Sequence, residues 1–168
     1  MATEFNADQV FQIAVRIQEN GAEFYEEMAK RFRETGRRGL CSELGSWRAE
    51  RAKTLAEEEK RFREKYGLPV PSGRDDYIMS HPSEMADLAV FSHDQYHSKA
   101  LTGKESWEEI LKDAIGRSEE VIVFFQGLKG FAQDAFTKKN LDKILEEENN
   151  YIKKLRARAN MYGPLWNK

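Results

Sequence analysis

Few side chains in this 168-residue sequence combine a reactive type with a telling spacing, and the histidines come first. All three, His81, His93 and His97, fall between residues 67 and 105. In Phe91-Ser-His-Asp-Gln-Tyr-His97 two imidazoles stand four apart. On a helix that spacing puts both on one face, where they would hold a transition metal such as zinc together with Asp94 or a partner chain's carboxylate. No glutamate of a protease-type motif accompanies them, so polar surface histidines are the preferred reading. Cys41 is the sole cysteine and can form no intrachain disulfide. It falls on the apolar face of a helical stretch, which favours a buried, inert thiol over a redox centre. The acidic runs Glu57-Glu-Glu-Lys-Arg61 and Glu146-Glu-Glu148 read as solvated helix faces laced with ion pairs.

The elements that must position any site are helical. From Asn6 to Glu34 the apolar positions Val10, Ile13, Ala14, Ile17, Gly21, Phe24 and Met28 advance by threes and fours, one face of a long helix. Asn6 followed by Gln9 forms a capping-box pattern at its start. Arg33-Glu-Thr-Gly-Arg-Arg-Gly39 then breaks the period, and a second helix is expected over about 39–66. Gly67-Leu-Pro-Val-Pro-Ser-Gly73 stops it, because two prolines and two glycines remove donors and fix turns. The connection 67–105 is long for a bare loop, and a short helix capped by Ser83 is expected within it. The helical period returns over about 106–131 and again over 137–161, where Gly163-Pro164 is expected to end it. These elements predict an all-α fold: one domain spanning 1–168, a four-helix bundle of two antiparallel hairpins joined by a crossover running the length of the bundle. The hairpins also resemble each other. A shift of 100 residues places Ala14 on Ala114, Phe24-Tyr25 on Phe124-Phe125, Met28 on Leu128, Leu44 on Ile144, Leu55 on Leu155 and Phe62 on Tyr162.

Composition narrows the partners. Lys plus Arg is 27 against 29 for Asp plus Glu, a formal net charge of -2, which gives no electrostatic reason to expect nucleic acid. No apolar run approaches the roughly 20 residues needed to cross a bilayer. The start MATEFNADQ lacks a charged segment followed by an apolar one, so a cytoplasmic protein without a membrane partner is expected. Trp47, Trp107 and Trp166 suit packing within the bundle or between subunits. A homodimer is expected, with the aromatic crossover residues Tyr77, Phe91 and Tyr96 as its interface.

The run Ala14-Val-Arg-Ile-Gln-Glu-Asn-Gly-Ala-Glu-Phe-Tyr25, repeated in degenerate form from Ala114 to Phe125, resembles the first and third helices of the rubrerythrin-like branch of the ferritin-like superfamily. Arg51-Ala-Lys-Thr-Leu55 and Tyr151-Ile-Lys-Lys-Leu155 resemble the stretches that begin with the ligand histidines. The resemblance implies a ferritin-like bundle and two iron or manganese ions, bound by a Glu from helices one and three and a Glu-x-x-His from helices two and four. Carried over by position, those ligands are absent except for Glu148. Gln18 and Ser118 stand at the two Glu positions, Arg48 and Arg51 replace one Glu-x-x-His, and Glu148 and Tyr151 occupy the other. A two-residue register shift would nominate Glu50 and Lys53 instead, without restoring a histidine. The paired Cys-x-x-Cys motifs of a rubredoxin-like domain are missing too.

Two divalent cations need several carboxylates, and without them four buried acids would repel one another. Two of the acids are neutral here and guanidinium groups stand where cations would sit. A buried Arg48–Glu148 pair is therefore expected, with Arg51, Gln18, Tyr25 and Tyr151 as hydrogen-bond partners. The preferred function is a degenerate di-iron bundle without cofactor or catalytic residues, acting in binding, scaffolding or homo-oligomerisation. The alternative is a di-iron or dimanganese oxidoreductase, peroxidase-like or ferroxidase-like, with a relocated site that turns Glu19, Glu23, Glu50 or Glu147 inward.

Overall fold

Asn6 opens the first helix, α1 (Ala7–Ala29), as its sequence expects: its side-chain oxygen accepts from the Gln9 amide at 2.9 Å, and the Gln9 side chain accepts from the Asn6 amide at 3.1 Å. The computed structural model describes residues 6–68, 86–87, 89–91, 100–132 and 134–166. α1 ends at Ala29 rather than near Glu34, because the amides of Arg31 and Phe32 turn back onto the carbonyls of Met28 and Ala29 and tighten the last turn. Phe32 is thereby carried into the core. Glu34 becomes the cap of α2 (Thr35–Tyr66), its carboxylate accepting from the amides of Gly36 and Arg37 at 2.7 and 2.8 Å. The second helix thus starts before Gly39, correcting the expected turn. Gly36 answers packing rather than turning, since a Cβ there would lie 2.6 Å from the Trp107 ring. The left-handed Gly67, at φ 65°, closes α2 where expected.

The second hairpin repeats these devices. α3 (Trp107–Lys129) has its own capping box between Ser106 and Glu109. α4 (Ala135–Trp166) starts on Asp134, which accepts from the Thr137 amide at 2.7 Å and from its hydroxyl at 2.6 Å. α4 continues through Gly163-Pro164, contrary to the expected stop. A proline removes one backbone donor, and so near the end of a helix little hydrogen bonding is lost. Ala86 and Asp87 are helical within the connection and residues 89–91 turn, so the short helix expected over 83–91 does not extend to Phe91; Ser83, Glu84, Met85 and Leu88 lie outside the described residues.

Four long helices and no strand occur among the described residues, the architecture of an all-α four-helix bundle. Each helix of the second hairpin starts and ends 100 residues after its counterpart in the first. Burial repeats with it: Ala14 and Ala114, Met28 and Leu128, Leu44 and Ile144, and Leu55 and Leu155 are all buried. α1 packs along α2 and α3 along α4, and the hairpins meet where α1 touches α4 and α2 touches α3. α2 and α4 face each other through long side chains. Glu43 meets Arg158 at 2.6 Å, Arg48 meets Glu148 at 2.8 Å, and Glu58 meets Lys143 at 3.1 Å, so rising numbers on α2 match falling numbers on α4 and the two helices are antiparallel. No helix among the described residues is long and apolar enough to cross a membrane.

The connection returns to the bundle at Leu101, whose carbonyl accepts from Arg31 Nη1 at 2.9 Å, and at Gly103, whose φ is 95°. A Cβ on Gly103 would sit 2.2 Å from the Arg31 carbonyl oxygen. Gly103→Ala should therefore lower stability by about 2–3 kcal/mol, combining backbone strain with a main-chain clash. Gly116→Ala, within α3 and with nothing inside 4 Å of the added carbon, should raise it by up to about 1 kcal/mol. Urea unfolding of the two variants measures both signs.

Candidate functional site

Polar side chains meet at the centre of a largely apolar bundle interior. Val10, Ile13 and Ile17 on α1, Leu55 on α2, and Ile110, Leu111 and Leu141 from the second hairpin all belong to the buried apolar core. At the centre α1 contributes Gln18, α2 Arg48, α3 Ser118 and α4 Glu148, each no more than 3% exposed. Helical period puts all four on the core face, in step with the apolar residues one turn before and after them. Gly21 then makes the space for Arg48. A Cβ at residue 21 would lie 3.2 Å from Arg48 Cδ and 2.9 Å from the Phe91 ring.

All four terminal N–H groups of the Arg48 guanidinium are used. Nη1 donates to Gln18 Oε1 at 2.9 Å and to Glu148 Oε2 at 3.2 Å, and Nη2 donates to Ser118 Oγ and Glu148 Oε1, both at 2.8 Å. The fork on Glu148 is the bidentate geometry that suits guanidinium and carboxylate. Burial is the largest influence and works against the charge on Arg48, but the Glu148 carboxylate, with smaller help from Tyr25 and Tyr151, offsets it and the pKa stays above the ordinary value. Aromatic rings close the remaining sides. The guanidinium carbon lies 4.9 Å from the Trp47 ring centroid, 5.2 Å from Phe91 and 5.4 Å from Tyr151.

The pair expected from the sequence is made, and several of its expected partners act differently. Arg51 pairs with Glu147, not Glu148, one position round the helix, and burial lowers its pKa. Tyr25 is buried beside the cluster, but its hydroxyl makes no hydrogen bond among the described residues, and burial raises its pKa. Tyr151 contributes its ring, stacked on Trp47 with centroids 3.4 Å apart and planes 3° apart. Burial pushes its pKa up to about 12. Trp47 and Ser118 are the contacts that the expected hydrogen-bond set leaves out. Ser118 was visible as the counterpart of Gln18, whereas nothing in the periodicity singled out Trp47 for Tyr151.

Register is settled by exposure. Glu50 and Lys53, the two-residue alternative, point outward, as do Glu19 and Glu23. Of the acids that a relocated site would use, Glu147 alone is half-buried, and it holds Arg51. Phe91 is 2% exposed against Arg48 and α1, which removes it from the expected dimer interface; Tyr77 and Tyr96 lie outside the described residues. So do His81, His93, Asp94 and His97. Cys41 is buried and its pKa is pushed up to about 12 by burial, the state of an unreactive thiol.

Chemically, the central cluster does not fit two metal ions. Its one carboxylate is consumed by a guanidinium, a fixed cation without an acceptor, and a neutral amide and hydroxyl complete the shell. No group of three or more His, Cys, Asp or Glu poised for a metal occurs among the described residues. No nucleophile sits beside a base in the cluster. Glu148→Gln should cost about 3–5 kcal/mol, because it strands a buried guanidinium without its counter-charge. Adding Arg48→Met and making residue 148 Leu should recover at least half of that loss, as apolar isosteres remove both charges together. Thermal and urea unfolding of the single and double variants give the comparison. Set beside known proteins, the chain matches no family model, no curated protein and no solved structure.

Proposed function

We propose that this chain is a rubrerythrin-like ferritin-fold protein in which Arg48 does the electrostatic work of bound metal, and that it acts in binding, scaffolding or homo-oligomerisation rather than in di-metal redox chemistry. The observation that carries the reading is the guanidinium at the centre, hydrogen-bonded to a residue from each of the other three helices. Two further features support it. Positions 18, 48, 118 and 148 converge in space, and 51 and 151 follow 48 and 148 by three, the spacing of the family's six ligands. Antiparallel pairing of α2 with α4, joined to the α3–α4 hairpin, also gives α2 and α3 a common direction. Helices running the same way call for a connection that returns the length of the bundle, as a ferritin-like crossover would.

Metal analysis of the purified protein tests the loss of chemistry, with iron and manganese expected far below one per chain. About two tightly held ions per chain would overturn the reading. A reinstated variant, Gln18→Glu, Arg48→Glu, Arg51→His, Ser118→Glu and Tyr151→His, tests the origin of the cluster. Four inward carboxylates repel one another without cations, so its melting temperature should rise on adding Co2+ or Fe2+ and saturate near two ions per chain. A variant indifferent to metal, although folded, would count against descent from a di-metal site. Light scattering measures the expected dimer directly.

A further inference from the structure

Outside the central cluster, the α2–α4 seam opens on one side into a cavity of about 230 Å³. Leu44, Trp47, Tyr151 and Leu155 make an apolar lining, and Glu43, Lys154 and Arg158 stand among its polar wall. The stacked rings of Trp47 and Tyr151 belong both to this cavity and to the surroundings of Arg48, whose guanidinium carbon lies about 5 Å from both ring centroids. The equivalent seam on the other side is built differently. There, residues 51 and 147, the counterparts of 151 and 47, form an ion pair, and Lys143 bridges to Glu58.

We propose that this cavity binds a small aromatic monocarboxylate, a planar ring of benzoate size bearing one carboxylate. Ring and leucine surfaces suit a flat apolar body, and the volume accommodates a ligand of roughly ten heavy atoms. The sign of the charge follows from the wall. Glu43 is matched by Arg158 at 2.6 Å, so among the described residues of the wall Lys154, exposed at the same cavity, is the positive excess. A carboxylate placed between Lys154 and Arg158 balances that excess, whereas a cation would add to it. The inference stands apart from the metal history of the bundle centre, since it uses none of the four central polar residues.

The test follows the Trp47 indole N–H resonance, assigned by its loss in Trp47→Phe, while the intact protein is titrated with sodium benzoate and, separately, with benzamide as the uncharged isostere. Benzoate should shift that resonance saturably, and benzamide should bind at least about five-fold more weakly. Lys154→Glu, a change on an exposed side chain, should weaken benzoate by about ten-fold and leave benzamide unchanged. The proposal is overturned if the Trp47 resonance fails to saturate up to about 20 mM benzoate, if benzamide binds as well, or if Lys154→Glu leaves benzoate affinity intact.

Discussion

The terminal nitrogens of a guanidinium buried to 1% exposure have to be answered, and in this bundle the answers come from three different helices. That requirement sets the geometry. Gln18, Ser118 and Glu148 must arrive together within hydrogen-bonding distance of one group, so the rotation and height of α1, α3 and α4 are all referred to α2. Apolar packing alone tolerates small slides of one helix along another, because leucines and isoleucines exchange neighbours at modest cost. A slide of one turn here, about 5.4 Å, would leave Arg48 facing Ala14 or Ala114 levels of the core and strand both charges. Gly21 and Phe91 complete the enclosure, the glycine by admitting the side chain and the phenylalanine by roofing it.

The fold was legible because its signals are local. Periodic apolar faces and the Asn6 cap follow from residues near one another in sequence, and α1 starts where they put it. Boundaries that failed did so for tertiary reasons. Gly36 looked like a turn residue and instead makes room for Trp107, with Glu34 supplying the cap that starts the helix early. Gly163-Pro164 looked like a stop, yet α4 runs through it to a length matching α2.

The centre was legible to the level of which residues meet, and less so for how. Period and repeat place Arg48 opposite Glu148, since equivalent positions on two related helices lie at one height. They do not say which of two neighbouring acids an arginine takes, and Arg51 turns to Glu147. Nor do they distinguish a tyrosine acting through its hydroxyl from one acting through its ring. Tyr151 has Trp47 across the gap and stacks; Tyr25 is packed among Phe24 and Phe91, where its hydroxyl has no acceptor among the described residues. Such choices depend on side-chain reach across the α2–α4 gap, which becomes available only once the helices are set.

Two hairpins this alike face a particular problem: the first resembles the second, so either could pack against another copy of itself. Charge on the α2–α4 seam removes that option. Two first hairpins facing each other would oppose Arg48 to Arg48 in the core and set Glu43 against Glu58 outside it; two second hairpins would oppose Glu148 to Glu148 and Lys143 to Arg158. In the native pairing each of these positions meets the opposite sign, at 2.6 Å for Glu43 with Arg158, 2.8 Å for Arg48 with Glu148 and 3.1 Å for Glu58 with Lys143. The exposed rim pairs contribute little each, but a like-charged pair buried at the centre is costly enough to decide between arrangements. A bundle held by bound cations can keep acids on both halves, because the ions neutralise them whichever halves meet. Where the positive charge belongs to a side chain it must reside on one half, and the arginine that closes the centre also makes the two hairpins complementary rather than interchangeable.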